Sequence, residues 1–181
     1  CIRREGWFLL MPENISVAAR RIRIKRALNE SDFELNMGPD GALLMGGRLD
    51  SENGRGMGVG DWTCAIPDHW LFAGTGMKKG DSIKNLLGWE WHGAPAMELP
   101  GMQVVAEGDA TINRKKVGRY TATLYDGPKG NVVFNAATIW WANGLSSPPG
   151  HKNPSRHGIT QQGPDERVQQ ITHNLFQRMI S

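Results

Sequence analysis

The apolar positions of this chain come in short runs broken by glycine, and only the last segment carries a helical period. Ile22 and Ile24 alternate with Arg21, Arg23 and Lys25, a period of two that would set isoleucine inward and the cations toward solvent. Residues 102–106 read as a short buried strand, Tyr120 to Tyr125 as an alternating strand and Val132 to Trp140 as a third. The turn Asp126-Gly127-Pro128-Lys129-Gly130 is short enough to close the last two into an antiparallel hairpin. At the end, Val168, Ile171, Leu175, Phe176, Met179 and Ile180 recur at steps of three and four, which predicts one apolar helix stripe. Gly163 as cap, Pro164 as first helical residue and the acids Asp165 and Glu166 mark its start, and Arg178 suits the negative end of its dipole.

Between these elements the chain is rich in turns. Gly38-Pro39-Asp40-Gly41, Gly46-Gly47 and Asn53-Gly54 fall close together, and Asn53-Gly54 suits a hairpin turn. Gly56-Met57-Gly58-Val59-Gly60 lacks the spacing of a phosphate-cradling loop and leads into Asp61-Trp62, so it reads as a plain loop. The 181 residues include 23 glycines, close to twice the usual share of about 7%. That disfavours an all-helical bundle and points to a mixed-sheet α/β domain. The length suits a single domain over residues 1–181, with a loop-rich lead-in over 1–60. The longest apolar run, Trp7 to Met11, falls far short of the roughly 20 residues of a membrane span.

Charge and cysteine content narrow the class further. The net charge is +3, and the basic cluster Arg20 to Arg26 has no interleaved aromatic residues, so no nucleic-acid partner is expected. Cys1 and Cys64 lie in no metal-binding spacing and read as reduced thiols of a cytoplasmic protein. The opening Cys1-Ile2-Arg3-Arg4 shows neither an initiator Met nor a secretory pattern, which fits the C-terminal portion of a larger chain.

Familiar hydrolase signatures are missing: no nucleophile elbow, zinc-binding His-Glu motif or phosphate loop occurs. Tryptophan, histidine and carboxylate concentrate instead at Asp68-His69-Trp70 and Trp89-Glu90-Trp91-His92. On a strand, Glu90 and His92 share one face and Trp89 and Trp91 the other. A carboxylate and an imidazole side by side at a pocket edge suit acid–base chemistry, and the same pattern also describes a wet strand face. His69 reads either as a ligand or as a hydrogen-bonded structural residue. Loop histidines His151 and His157, and His173 on the polar side of the last helix, carry no signal. Trp140 and Trp141, ending a strand beside a long loop, are candidates for a pocket wall or for the core.

Two strings carry a resemblance. His69-Trp70-Leu71-Phe72-Ala73-Gly74-Thr75-Gly76-Met77, followed by Gly80-Asp81 and Gly88-Trp89-Glu90, resembles the C-terminal region of the N,N-dimethylformamidase large (beta) subunit family. So does Val133-Phe134-Asn135-Ala136-Ala137-Thr138-Ile139-Trp140-Trp141 running into Gly144-Leu145-Ser146, and the closing Arg167-Val168 and Ile171-Thr172-His173-Asn174 looks like that family's end. The similarity covers residues 61–181.

It implies an amide hydrolase that splits dimethylformamide into dimethylamine and formate, built on a glutamine-amidotransferase-like α/β domain. It also implies a mononuclear iron held by Tyr, His and Glu, a small amide substrate, a small-subunit partner and a homo-oligomer. The family's His and Glu ligands stand one residue apart, whereas here the first His is His69 and the first Tyr is Tyr120. Glu13 is the candidate metal ligand, with Met11 where the His would stand, a poor donor for iron. The resemblance makes Glu90 the candidate general base with His92 beside it, Asn135 the residue orienting the substrate carbonyl, and Trp140, Trp141 and His69 substrate contacts. A non-catalytic assembly module or inactive remnant, and a Trp-lined carbohydrate-binding domain, are the competing readings.

Overall fold

A computed structural model describes residues 57–93, 101–127 and 130–180, all within the compact unit Gly41–Ser181. The strand expected at 21–25, the Asn53-Gly54 hairpin, Met11 and Glu13 lie outside the described residues. Five antiparallel strands make the main sheet: β1 (Met57–Thr63), β2 (Ser82–Glu90), β3 (Gln103–Ile112), β4 (Lys115–Asp126) and β5 (Val132–Asn135), in the order β2-β1-β3-β4-β5. A two-stranded ribbon, β6 (Ser155–Arg156) and β7 (Ile159–Thr160), precedes the helix α1 (Glu166–Ile180). The chain just past β2 bridges the chain just past β5, Trp91 to Thr138, so the sheet curls until its two edges meet.

The antiparallel hairpin read from Asp126 to Gly130 is present, with Leu124 opposite Phe134 and Asp126 opposite Val132. Its second strand ends at Asn135, five residues before Trp140. The glycine-rich run from Met57 is strand β1 and not the expected loop. Curling is the reason: a Cβ on Gly60 would come within 2.6 Å of the Asp109 carbonyl oxygen, so only glycine lets β1 and β3 approach there. At the bulge beside it, the Tyr120 hydroxyl donates to the Asp61 carbonyl (2.9 Å) and accepts from the Thr63 amide (2.6 Å), satisfying backbone that the interrupted ladder leaves unpaired. Burial pushes the Tyr120 phenol well above its ordinary pKa.

The strands read at 102–106 and 120–125 are the ends of one long hairpin, β3 to β4. Asn113 and Arg114, at φ 49° and 65°, form its two-residue turn, a conformation that usually calls for glycine at the second position. Charged residues hid this hairpin. They face each other across it, Lys116 to Asp109 at 2.7 Å and Arg119 to Glu107 at 3.0 Å.

The core fills the curl with Trp62, Leu71, Leu86, Leu87, Trp91, Val105 and Tyr120, and α1 adds Val168, Ile171 and Leu175. The remaining expected stripe residues, Phe176, Met179 and Ile180, are exposed. Asp165 caps α1, its Oδ1 accepting from the Arg167 amide at 2.9 Å, while the Arg167 guanidinium pairs with the same carboxylate and reaches the Ser82 carbonyl. Asn174 donates to the Leu71 and Ala73 carbonyls at 2.9 and 2.8 Å and so ties α1 to the 3₁₀ turn Trp70–Phe72.

Candidate functional site

Where the curled sheet closes, the residues after β2 meet the tight turn after β5. Ala137 sits at φ 60°, a left-handed conformation for a residue with a side chain. Asn135 holds it there, because its Oδ1 accepts the Ala137 amide at 2.9 Å. The same Oδ1 lies 2.9 Å from His92 Nδ1, and the Ala137 carbonyl accepts the His92 amide at 3.2 Å. The turn therefore grips His92 by both backbone and ring. Strand β4 completes the clamp, with the Thr121 amide donating to the His92 carbonyl (3.0 Å) and the Thr121 hydroxyl to the Gly93 carbonyl (2.6 Å).

Thr138 locks the other side of the turn. Its hydroxyl accepts from the Gly88 and Trp140 amides, both at 3.1 Å, and faces the Leu86 and Gly88 carbonyls, both at 2.9 Å. Trp62 Nε1 donates to the Ala136 carbonyl at 3.0 Å. Asn135 and Ala137 are thus tied to His92, Ala136 to Trp62 and Thr138 to β2.

The candidates named from sequence fall in three environments. Glu90, the last residue of β2, is exposed, and His92 is half-buried two residues on. Asn135 is 8% exposed, and its oxygen meets both His92 and Ala137. Trp140, 3% exposed, lies against Gly88 inside the fold, and Trp141 donates from Nε1 to the Thr172 hydroxyl while standing edge-on to Trp62 and Phe134. Trp140 thus packs the interior, and half-buried Trp141 braces α1.

His69 caps the 3₁₀ turn, its Nδ1 accepting the Leu71 amide at 3.2 Å, and packs beside the Trp70 ring. Burial lowers its pKa, with Asp126 opposing the shift. His151 bonds Asn143, and His157 turns the β6–β7 ribbon at φ 49°. Among the described residues, no three or more His, Cys, Asp or Glu side chains gather to hold a metal ion. Glu13, the candidate ligand for the iron that the resemblance implies, lies outside the described residues.

Comparison with known families places this geometry. The family of N,N-dimethylformamidase beta subunit-like C-terminal domains matches residues 38–156, about two thirds of the chain. The chain belongs to this family. No curated protein and no solved structure matches it. The match covers the whole main sheet, Glu90, His92 and the turn at Asn135, and ends before α1, so the likeness noted at Arg167 to Asn174 lies outside the matched part. Within this dimethylformamidase-type domain, sequence reasoning missed Ala137 and Thr138, whose roles come only from where they meet Gly88 and His92. The signal available was an Asn two residues before a non-glycine turn, which is weak without the fold.

Proposed function

We propose that this chain is part of an amide hydrolase that splits small N-substituted formamides, with N,N-dimethylformamide as its type substrate, into formate and an amine. The family match over residues 38–156 carries the reading. Glu90 acts as general base and His92 as a second proton carrier. Water loses a proton to the Glu90 carboxylate as its oxygen attacks the formyl carbon. The C–N bond then breaks as the nitrogen takes up that proton, relayed through His92, and the formic acid gives its own proton to the amine, leaving formate and dimethylammonium.

The exposure of Glu90 means that the substrate is enclosed by parts of the assembly other than the described sheet. A small subunit, further copies of the same chain, and the glutamine-amidotransferase-like domain of such enzymes are the expected contributors. The iron of the family belongs with those parts, or with Glu13 and its surroundings. A cytoplasmic setting suits the free, buried Cys64, whose thiol burial pushes up to about 11. No helix among the described residues is long and apolar enough to cross a membrane.

The test is to incubate the purified protein, with any chain that co-purifies, in N,N-dimethylformamide and assay both products. Formate and dimethylamine released in equal amounts are expected. Neither product appearing above the uncatalysed background would overturn the proposal.

One observation favours a second reading, a non-catalytic assembly domain: Phe176 and Ile180 at the end of α1 are 61% and 77% exposed. Product-free protein that purifies only in complex with another chain would support it. The carbohydrate-binding alternative has less behind it, because Trp62, Trp91 and Trp140 are buried and Arg156 covers the Trp89 ring at 4.2 Å.

A further inference from the structure

Asn135 is a buried polar side chain at the closure of the sheet, and its bonding fixes the state of its neighbour. Its amide has one orientation that works. The Ala137 amide can only donate, so the atom 2.9 Å from it must be the Asn135 oxygen. Turning the side chain over would set two N–H groups against each other. In the working orientation Asn135 Nδ2 is buried without a partner, so the fold keeps an unpaired donor in order to hold Oδ1 where it is.

The consequence falls on His92. Its Nδ1 lies 2.9 Å from an oxygen that can only accept. A neutral imidazole carries one proton, and here that proton belongs on Nδ1, which leaves Nε2 with the lone pair. The backbone fixes the ring as well, because the His92 amide and carbonyl are held by Ala137 and Thr121. No described residue bonds Nε2.

We propose that Asn135 is a positioning residue: it accepts the Nδ1 proton of His92 and leaves Nε2 as the atom that takes up a proton in the reaction. The catalytic half of this inference rests on the proposed amide hydrolysis. The tautomer half does not, and it is read without substrate.

The experiment is a long-range proton–nitrogen NMR correlation on the full-length, 15N-labelled protein at about pH 9, above the ordinary imidazole range. The His92 signals are assigned by their loss in a His92→Gln variant. The proton-bearing shift is expected on Nδ1 and the bare shift on Nε2. Asn135→Asp should keep that pattern, since a carboxylate accepts from both the ring and the Ala137 amide. Asn135→Leu should move the proton to Nε2, the form free histidine prefers. Parent protein with His92 protonated on Nε2 overturns the proposal, and needs no variant to fold.

In the formate assay, Asn135→Leu should lower kcat about 10-fold or more with KM little changed, and Asn135→Asp should restore most of it. An Nδ1 proton together with a His92→Gln variant of undiminished rate would leave the positioning standing and sink the catalytic role of His92.

Discussion

Replacing Gly88 by alanine tests whether Trp140 belongs to the interior. A Cβ built on Gly88 would lie 2.3, 2.4 and 2.5 Å from Cζ3, Cε3 and Cη2 of the Trp140 ring, more than 1 Å inside ordinary contact. The indole cannot simply tilt away, because Trp140 is 3% exposed and its own amide is bonded to Thr138. Overpacking of this kind costs about 1–3 kcal/mol, and so close an approach belongs at the upper end. Alanine would recover roughly 0.5–1 kcal/mol from its lower backbone entropy, so the net loss is about 2 kcal/mol. Trp140→Ala alone should cost about 3–5 kcal/mol for the cavity it leaves. In the double variant the clash has no partner while the entropy gain remains, so the two losses should fall short of additive by about 3 kcal/mol. Urea unfolding followed by circular dichroism on the four proteins measures this. A Gly88→Ala variant within 0.5 kcal/mol of the parent, or losses that simply add, would refute the packing of Trp140 on Gly88.

Other predictions follow from single contacts. Tyr120→Phe removes the hydroxyl that bonds both Asp61 and Thr63, leaving an amide and a carbonyl unpaired at the bulge. A loss of about 2–3 kcal/mol in urea unfolding is expected, and a loss under 0.5 kcal/mol would contradict it. Arg114→Gly places glycine at φ 65° in the β3–β4 turn and should stabilise by about 1 kcal/mol, seen as a rise in Tm; a fall would contradict the turn assignment. Hydrogen bonding and charge from Arg167 hold the Asp165 carboxyl below its ordinary pKa. Because the folded value lies below the unfolded one, Asp165 contributes its stability above the ordinary carboxylate range and loses it as pH falls through the folded value. Asp165→Ala should therefore cost about 1 kcal/mol at pH 7, and the gap to the parent should close in acid; a gap that widened there would contradict the cap.

Much of this architecture was legible, and the gaps have physical causes. The β4–β5 hairpin and α1 could be read because turn residues and apolar period agreed, although Gly163 as cap and Pro164 as first residue set the helix start two residues before the observed Asp165 and Glu166. The long β3–β4 hairpin was read only at its ends, since Glu107, Asp109, Lys116 and Arg119 make its middle look like a solvated loop until their pairing across the strands is seen. Strand β1 was hidden by Gly58 and Gly60, residues that ordinarily mark turns and are here demanded by the closeness of β3. For the site, the two-residue spacing of Glu90 and His92 was visible, but the bond from His92 to Asn135 spans 43 residues of chain and no local pattern signals it. The tryptophans left two readings open for a related reason: a strand-ending pair beside a loop has the same sequence whether it walls a cavity or plugs one.

The central claim is that this dimethylformamidase-type domain brings a carboxylate base to an amide. Its most direct test is kcat for formate release from N,N-dimethylformamide in Glu90→Gln, a change of one exposed side chain that leaves the packed sheet untouched. A fall of about 10²-fold or more, with the circular dichroism spectrum unchanged, is predicted. A Glu90→Gln protein that turns over at the parent's rate would contradict the account.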